Sequence, residues 1–527
     1  MSPRHCVDLE PSMRHKNRSI GRLGCSLIGV LVIGAIVRTA GAATPCAELA
    51  NFSMASHRID IRQAHEVLAT APDATPFMPA HCRVDGVIDA RIGHEGKPYG
   101  IGFALVLPKD WNGRFLFQGG GGLNGSVQPP LGAQYAGDRS ALARGFAVAS
   151  TDSGHQGAVF DGSFFQDQQA SLDFLYRGVA TVAVVAKQII AQHYGKPSDH
   201  AYFVGCSTGG REAMMMSQRF PDYFNGIVAA APAMRTSFSN LGLRHATAAL
   251  NAISPLDPKG RPDTRAALSD ADRRLIVDGV LEACDALDGE RDGLIFATQK
   301  CAFDPGTLTC KDDKQNHCLS RAQVEAVRTV MRGPRTSSGR QVYPGYYYDT
   351  GIANTQGLAG VLVGPPIPEG RPVGVSLDVD AAWAEAISAR SMLGDTHAWT
   401  NLSSFRAHGG RLIFLHGVSD PWFSARDTVE YYERLGNDNP GEPVDQWSRL
   451  FLVPGMGHCG GGERTLDQFN LLDAIVGWVE TGQAPERVIA KGKSAAEESR
   501  PLCAYPAYAR YAGAGDPSDA SNYTCKR

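Results

Sequence analysis

Short apolar runs alternate with segments of helical spacing in two parts of the chain. The predicted strands cover residues 99–117 with a turn at 109–113, then 146–150, 201–204, 226–231, 411–415 and 449–453. The predicted helices cover residues 175–194, 211–220 and 466–479. Strands that alternate with helices are typical of a parallel sheet covered on both faces, so the predicted fold class is α/β.

The alternation is lost between residues 233 and 400. This stretch holds acidic turns, four cysteines and loops rich in proline and glycine, such as residues 364–368. We therefore predict a main domain built from residues 43–232 and 401–527. Residues 233–400, called the lid segment below, are predicted to form an inserted lid domain.

The N-terminus predicts an export signal. Four basic residues lie between Arg14 and Arg22, residues 23–37 are apolar and uncharged, and Ala40-Gly41-Ala42 has the small-x-small form of a cleavage site. Residues 1–42 are therefore expected to be removed, which places the protein in the periplasm or outside the cell. An uncleaved membrane anchor is the alternative reading.

The amino-acid composition limits the kinds of partner that the protein is expected to bind. The chain has 527 residues, of which 43% are hydrophobic and 20% charged, with a net charge of −3. These values are ordinary for a globular protein, and the near-neutral charge gives no basis for binding nucleic acid or an anionic membrane once the signal is removed. A small or uncharged substrate is expected.

Ten cysteines remain after the predicted signal, an even number that favours disulfides in an exported chain. Spacing alone does not fix the connectivity. Pairing of sequence neighbours gives Cys46–Cys82, Cys284–Cys301, Cys310–Cys318 and Cys503–Cys525. That pairing leaves Cys206 and Cys459 for each other, with two buried thiols as the alternative. No Cys-x-x-Cys spacing occurs, so zinc is not predicted.

The candidate nucleophile is Ser207. Residues 205–209 read Gly-Cys-Ser-Thr-Gly, which fits the Gly-x-Ser-x-Gly elbow of α/β-hydrolases, and the motif lies between a predicted strand and a predicted helix. Small flanking residues allow the sharp turn that presents the hydroxyl at the carboxyl end of a sheet. A tight turn with a helix-capping serine is the alternative.

A serine nucleophile needs a base, and the base needs an orienting acid. In α/β-hydrolases the acid and then the base follow the serine along the chain. Asp420 comes just after the strand at 411–415, and His458 just after the strand at 449–453. His155 and His416 are alternative candidates for the base. His155 precedes Ser207 and His416 precedes Asp420, so each is in the wrong order along the chain. Structural roles in loops are the alternatives for both Asp420 and His458.

Gly119–Gly122 follow a predicted strand upstream of the serine, where a second oxyanion donor is expected. The candidate donors are the backbone N–H groups of Gly122 and Thr208. The run also fits Gly-x-Gly-x-x-Gly, but residues 126–130 (Ser-Val-Gln-Pro-Pro) do not open a helix, so no organic cofactor is predicted. A plain tight loop is the alternative.

Residues 285–294 (Asp-Ala-Leu-Asp-Gly-Glu-Arg-Asp-Gly-Leu) form a compact acidic loop. Closely spaced carboxylates and glycines suit a hard cation that prefers oxygen ligands. The spacing is not that of an EF-hand, and a solvated acidic turn is the alternative reading.

The motif at 205–212 (Gly-Cys-Ser-Thr-Gly-Gly-Arg-Glu), with 417–420 (Gly-Val-Ser-Asp) and 454–459 (Pro-Gly-Met-Gly-His-Cys), resembles the tannase/feruloyl esterase family. This family of α/β-hydrolases includes mono(hydroxyethyl) terephthalate hydrolases, and the likeness extends from Cys46 to Cys525. The resemblance implies a triad of Ser207, Asp420 and His458, a Cys206–Cys459 disulfide, and oxyanion donors at Gly122 and Thr208. It also implies a structural Ca²⁺ and a substrate contact at Phe423. The implied calcium ligands are the side chains of Asp285, Asp288 and Asp292 and the backbone carbonyls of Glu290 and Leu294.

The resemblance therefore predicts hydrolysis of an ester between an aromatic acid, of the feruloyl or galloyl type, and an alcohol. Thr208 is like the feruloyl esterases, whereas the terephthalate monoester hydrolases carry glutamate there. The stretch 343–400 also looks shorter than in those enzymes, and only Arg371 and Arg390 offer a cation for a free substrate carboxylate. Terephthalate monoester hydrolysis is the nearest alternative. A peptidase with the same triad and a non-catalytic phenolic or carbohydrate-binding protein are the others.

Overall fold

The computed structural model describes residues 43–353, 373–492 and 498–527. The predicted export signal, residues 1–42, lies outside the described residues. The strands, in chain order, are β1 (Ile59–Val67), β2 (His81–Ile92), β3 (Pro98–Pro108), β4 (Arg114–Gln118), β5 (Ala147–Thr151), β6 (His200–Cys206), β7 (Gly226–Ala230), β8 (Arg411–Gly417), β9 (Ser448–Val453), β10 (Arg487–Lys491), β11 (Ser499–Cys503), β12 (Tyr508–Tyr511) and β13 (Tyr523–Lys526).

Helices cover both faces of the main sheet and fill much of the lid segment. The α-helices are α1 (Gln168–Leu172), α2 (Gly178–Tyr194), α3 (Thr208–Arg219), α4 (Thr236–Asn251), α5 (Asp270–Cys284), α6 (Arg321–Arg332), α7 (Val379–Ala386), α8 (Ala389–Gly394), α9 (Ser403–Ala407), α10 (Ala425–Asp438) and α11 (Leu471–Thr481).

Nine strands form the main sheet in the order β1-β2-β3-β5-β4-β6-β7-β8-β9. β1, β2 and β3 run antiparallel to their neighbours, and the strands from β5 through β4 to β9 are parallel. The carboxyl ends of β4, β6, β8 and β9 therefore meet at one edge, where the candidate residues follow. The sheet confirms the predicted α/β class.

Alternation along the strands divides the core into two halves. Phe203 of β6 packs in the cluster that contains α2, α3 and α10 residues, whereas its neighbours Tyr202 and Val204 pack in the cluster that contains α11 residues. Because successive side chains of a strand point to opposite faces, a fully apolar strand is buried by helices on both sides. This explains why the short apolar runs at 201–204 and 411–415 were readable as strands.

The lid segment has a hydrophobic cluster of its own, formed largely by α4, α5 and α6. Capping boxes start two of these helices: Ser269 caps α5 with Asp272, and Ser320 caps α6 with Gln323. The division into domains predicted from the loss of alternation stays a prediction, because the described residues form one compact unit.

One element is placed wrongly by the sequence pattern. The helix predicted over 466–479 begins only at Leu471, where the Asn470 side chain accepts from the Asp473 N–H. Leu466 and Phe469 are buried, as their spacing suggests, but they belong to an extended stretch in which Gln468 pairs with Lys491. Burial alone does not distinguish these two conformations.

Candidate active site

Ser207 lies at the turn between β6 and α3, with φ 62° and ψ −121°. A Cβ on Gly205 would lie 2.5 Å from the Gly209 carbonyl oxygen, and a Cβ on Gly209 would lie 2.6 Å from the carbonyl oxygen of Gly120. Real Cβ atoms do not approach so closely, so the turn closes only with glycine at both positions. This strained strand-to-helix geometry is that of a nucleophile elbow.

The glycine loop after β4 packs directly against this elbow. The Gly209 N–H donates to the Gly120 carbonyl at 3.0 Å, and the Thr208 hydroxyl donates to the Gly122 carbonyl. Thr208 is the first residue of α3, so its N–H has no partner within the helix. The two predicted oxyanion donors, Gly122 and Thr208, thus belong to segments in contact, and both line one cavity with Ser207.

Glu212 was not singled out from the sequence, yet its carboxylate anchors the glycine loop. Buried to 2% exposure on α3, it accepts hydrogen bonds from the Gly120 N–H at 2.9 Å, from Asn124 Nδ2 at 2.7 Å and from the Ser153 hydroxyl at 3.0 Å. Its position beside the serine motif was visible in the sequence. Its partners, 59 to 92 residues away, were not.

Asp420 and His458 form a hydrogen-bonded pair. His458 Nδ1 lies 2.7 Å from Asp420 Oδ2, and the backbone N–H groups of Trp422 and Phe423 donate to Asp420 Oδ1 at 2.8 Å and 3.2 Å. Burial of Asp420 opposes its ionisation, but the neighbouring His458 and His416 outweigh burial and hold the pKa of Asp420 well below its usual range. The acid therefore stays charged beside the imidazole.

Neither rival base is among the residues that line the cavity with Ser207. His416 is fully buried behind Asp420, with Nε2 3.3 Å from Asp420 Oδ2 and 3.0 Å from the Phe423 carbonyl oxygen, and Nδ1 2.8 Å from the Thr428 hydroxyl. His155 is buried against the Phe164 ring. Among the described residues that line the cavity, His458 is the histidine present.

The ten cysteines within the described residues are bonded in the five pairs that sequence neighbours suggested. Cys206 and Cys459 are joined across 253 residues with their Cα atoms 6.0 Å apart. The other pairs are 46–82, 284–301, 310–318 and 503–525. The Cys206–Cys459 bond ties the residue before Ser207 to the residue after His458, and the alternative of two free thiols is wrong.

Ser207 and His458 open on a cavity of about 880 Å³. Five aromatic rings contribute to its wall: Phe160, Phe165, Phe174, Trp422 and Phe423. The Phe423 ring, expected to contact substrate, lies 5.4 Å from the His458 ring, and the Trp422 ring 6.4 Å from it.

Charged groups also line the cavity. Arg244 faces Glu385 at 3.6 Å, and the guanidinium of Arg390 lies 4.8 Å from the centre of the Phe165 ring. Arg371, the other arginine considered for a substrate carboxylate, lies outside the described residues. The cavity therefore combines aromatic walls with at least one accessible cation.

The acidic loop at 285–294 folds around its own carboxylates. Asp285 accepts from the Gly293 N–H at 3.0 Å, Asp288 from the Phe296 N–H at 2.8 Å, and Asp292 from the Leu294 N–H at 3.0 Å. Burial, and next the neighbouring Asp292 and Asp285, raise the pKa of Asp288 to about 7. Buried carboxylates that disfavour each other's charge fit a hard cation with oxygen ligands.

A second group of potential metal ligands consists of His397, Asp427 and Glu430, whose ligand atoms all lie within 4.8 Å of one another. Among the described residues, the carboxylates of the loop 285–294 do not come this close together. Arg235 Nε donates to Asp427 at 3.0 Å, and Arg434 donates to the His397 carbonyl at 2.7 Å. The Arg235 guanidinium neutralises Asp427 in this cluster. In the loop 285–294, Arg500 pairs with Asp292 at 2.6 Å, but among the described residues Asp285 and Asp288 have no ion-pair partner, so the loop is the better site for a metal ion.

The sequence profile of the family described as tannase and feruloyl esterase matches residues 82–363 and 376–526. The chain is 38% identical to a mono(2-hydroxyethyl) terephthalate hydrolase of Piscinibacter sakaiensis, with 87% of this chain and 86% of that one covered. It is 31% identical to a probable feruloyl esterase B-2 of Aspergillus terreus, with 80% and 82% covered.

Solved structures show the same fold. The crystal structure of feruloyl esterase B from Aspergillus oryzae matches with a TM-score of 0.75 and 27% identity, covering 91% of this chain and 99% of that chain. Since the match spans nearly the whole of that chain, the sheet and the lid segment both have counterparts in a known architecture, and the predicted α/β-hydrolase fold is confirmed.

Proposed function

The chain belongs to the tannase and feruloyl esterase family of carboxylic ester hydrolases, and from this membership we propose that it hydrolyses esters of aromatic acids with a triad of Ser207, His458 and Asp420. The observation that carries this assignment is the 2.7 Å contact between His458 Nδ1 and Asp420 Oδ2 on the wall of the cavity that Ser207 enters. The neighbouring disulfide fixes the serine turn to the histidine loop.

The proposed reaction has two halves. Ser207 Oγ attacks the ester carbonyl carbon while His458 Nε2 takes the hydroxyl proton, and Asp420 stabilises the imidazolium through Nδ1–H. The N–H groups of Gly122 and Thr208 bind the oxyanion. The C–O bond to the alcohol breaks as His458 returns the proton to the leaving oxygen. Water, deprotonated by His458, then attacks the acyl carbon, and the bond to Ser207 Oγ breaks as His458 returns the proton to that oxygen and the acid is released.

The aromatic wall favours an aromatic acyl group of the feruloyl or galloyl type. The Phe423 ring lies 5.4 Å from the His458 ring, and Phe165 and Phe174, which pack on each other, add apolar surface to the same cavity. Stacked or edge-on rings contribute beyond their buried area, so a planar acid gains more from this wall than an aliphatic one. The curated relative from Aspergillus terreus is named as a probable feruloyl esterase.

A second candidate substrate is a terephthalate monoester. The relative from Piscinibacter sakaiensis is named as such a hydrolase, and Arg390 offers a guanidinium on the cavity wall to a second, free carboxylate. Thr208 argues for the feruloyl type instead.

We further propose one structural Ca²⁺ at the loop 285–294, held by the carboxylates of Asp285, Asp288 and Asp292 and completed by the carbonyl oxygens of Glu290 and Leu294. When bound, the ion would neutralise buried charge and hold the loop; it takes no part in the reaction. The predicted signal at residues 1–42, together with five disulfides, supports an exported protein.

The test is turnover of methyl ferulate, methyl gallate and mono(2-hydroxyethyl) terephthalate, with the matched ferulic amide as the peptidase control. Ser207→Ala should lower kcat by about 10⁶-fold and abolish labelling by a fluorophosphonate, because both need the activated hydroxyl. Ser217→Ala removes a buried hydroxyl of the same helix, which donates to the Met214 carbonyl, and should keep turnover. Wild-type rates in Ser207→Ala would refute the mechanism.

The same panel separates the two substrates. Arg390→Ala should lower kcat/KM for the terephthalate monoester and leave methyl ferulate unchanged if the cation binds a free carboxylate. An equal change for both esters would remove that role. Labelling without turnover of any ester would exclude the aromatic-ester assignment, and absence of labelling would favour the binding-protein alternative.

A further inference from the structure

We propose that Asp349, a buried residue of the lid segment, positions the acid–base pair by holding the loops of Asp420 and His458 at once. The inference rests on the proposed function for the roles of those two residues. It makes the lid segment part of the catalytic framework, in addition to forming a wall of the cavity.

The contacts of Asp349 reach both loops through one oxygen. Asp349 is 1% exposed, and its Oδ2 accepts from the Ser419 hydroxyl at 2.6 Å and from the Gly455 N–H at 2.8 Å. Ser419 immediately precedes the acid, and Gly455 lies three residues before the base. The carboxylate is therefore a shared acceptor for two segments that enter the site from different strands.

The neighbouring backbone strengthens the same junction. The Gly351 N–H donates to the Ser419 hydroxyl at 3.1 Å, so the lid segment both accepts from and donates to this side chain. The two loops also meet directly, because the Ser419 N–H donates to the Met456 carbonyl at 3.0 Å. Asp349 adds a third point to this contact, from outside the sheet that carries both loops.

Burial of a carboxylate at this position costs solvation free energy. Oδ1 is buried with no hydrogen-bond partner among the described residues, and burial raises the pKa of Asp349. An apolar side chain would avoid the loss of solvation but would leave the Ser419 hydroxyl and the Gly455 N–H without an acceptor. The presence of an acid here is explained if the Ser419 hydroxyl and the Gly455 N–H need an acceptor that is held in a fixed position.

The geometry also identifies a conservative variant. Because Oδ2 accepts both hydrogen bonds, asparagine can place its carbonyl oxygen there and its amide nitrogen at the position of Oδ1. Asp349→Asn therefore keeps the acceptor without the charge, whereas Asp349→Ala removes it. Ser419→Ala removes one of the two donors and should give an intermediate effect.

The experiment compares these three variants of the full chain with Asp272→Ala. Asp272 caps α5 within the lid segment, and its carboxylate accepts from Ser269 and Gln323, far from either loop in the sequence. Asp349→Ala should lower kcat for p-nitrophenyl acetate by about 10²-fold, the effect of a misplacement near 1 Å, with KM unchanged. Asp349→Asn should restore kcat to within a few-fold of wild type. Asp272→Ala should lower the melting temperature without changing kcat.

A second readout does not depend on turnover. The proton shared by His458 and Asp420 should give a downfield NMR signal, assigned by its loss in His458→Ala. The signal should broaden or disappear in Asp349→Ala and persist in Asp349→Asn. If the wild type hydrolyses no aromatic ester, the substrate proposal fails while this measurement still tests the positioning role.

Three outcomes would overturn the inference. Asp349→Ala could lose stability yet keep kcat and the downfield signal, which would make the residue merely structural. Asp349→Asn could be as impaired as Asp349→Ala, which would show that the shared acceptor is not what matters. Asp272→Ala could lower kcat equally, which would attribute the effect to loosening of the lid segment as a whole.

Discussion

Ser207 and His458 line the same cavity, but the segments that carry them are held by different means. Residues 119–122 and 205–210, called the nucleophile side for the role proposed for Ser207, fit together mainly through backbone contacts that leave no room for a Cβ at Gly119, Gly205 or Gly209, with Glu212 as a side-chain anchor. On the proposed acid–base side, Asp420 and His458 are held by side chains from elsewhere: His416, the Cys206–Cys459 disulfide and, in our proposal, Asp349. Close backbone packing therefore dominates on the first side, and side-chain support dominates on the second.

The difference implies different responses to damage. A turn that closes by steric exclusion should fail abruptly when one atom is added and be insensitive to distant changes. A pair held by several separate supports should lose activity in steps as each is removed. We expect the effects of four perturbations to decrease in the order disulfide removal, calcium removal, substitution of Gly119 and acid pH.

Breaking the covalent link between the two sides should have the largest effect. Cys206→Ala/Cys459→Ala should cost about 2–5 kcal/mol of unfolding free energy, because the bond closes a long loop, and should lower kcat sharply. Denaturant unfolding and ester turnover measure the two effects. Cys310→Ala/Cys318→Ala, a pair only 8 residues apart in the lid segment, is the control and should leave kcat unchanged. Equal kinetics in both double variants would contradict the contrast.

Removing the proposed calcium should have the next largest effect and should weaken the acid–base side. Arg464, six residues after His458, donates through Nε to the Asp292 carbonyl, so the loop 285–294 touches the segment that follows the base. Chelation should lower the melting temperature by the equivalent of about 2.7 kcal/mol if calcium was present at 100 times its Kd. Asp288→Asn should make the protein insensitive to the chelator. No shift in the wild type would refute the site.

The nucleophile side is tested by adding a single methyl group. A Cβ on Gly119 would lie 2.8 Å from the Gly209 Cα and 3.0 Å from the Gly205 Cα, whereas a Cβ on Gly121 would meet nothing within 4 Å. Gly119→Ala should cost about 1–3 kcal/mol and displace the elbow, with loss of kcat. Gly121→Ala, two residues along the same loop, should stay within about 0.5 kcal/mol of wild type. Similar losses in both would show that the loop, and not the fit, is sensitive.

The smallest effect concerns acid pH on the nucleophile side. Burial lowers the pKa of His155 from 6.5 to about 4. Between those values the unfolded chain binds a proton that the folded chain does not, so this contribution to stability is present above pH 6.5 and is lost as the pH falls towards 4. Between pH 7 and pH 5, the free energy of unfolding should therefore fall by about 2 kcal/mol less in His155→Phe than in the wild type. Thermal melts at the two pH values measure it, and parallel curves would count against the shift.

The same contrast explains what the sequence could predict. The glycine pattern around Ser207 is local. The sequence therefore predicted residues 205–209 as a strand-to-helix turn and residues 119–122 as a loop that follows a strand. Asp420 and His458 were predicted as acid and base because they follow predicted strands in the expected order, and the structure places them in hydrogen-bond contact. The pairing of Cys206 with Cys459 came from elimination among ten cysteines and from the family resemblance, and the structure joins them.

The residues that support Asp420 and His458 could not be recognised from a local sequence pattern. Asp349 lies 70 residues before Ser419 and 106 before Gly455, and nothing in its neighbourhood marks it as different from the other aspartates of the lid segment. Glu212 escaped notice for the same reason, although it adjoins the serine motif. The spacing of Leu466 and Phe469 was compatible with a helix, and only the Asn470 cap shows where α11 begins. Contacts across the fold decide these cases, and one sequence does not contain them.

The position of Asp349 bears on engineering by segment exchange. Lids inserted between two core strands are natural units for grafting between relatives, since a new lid brings a new pocket wall. Here a graft that replaces residues 233–400 also replaces the acceptor for Ser419 and Gly455, so a chimera could bind the intended ester and still turn over slowly. Donor lids should therefore be screened for an acid or amide at this position before their specificity is judged.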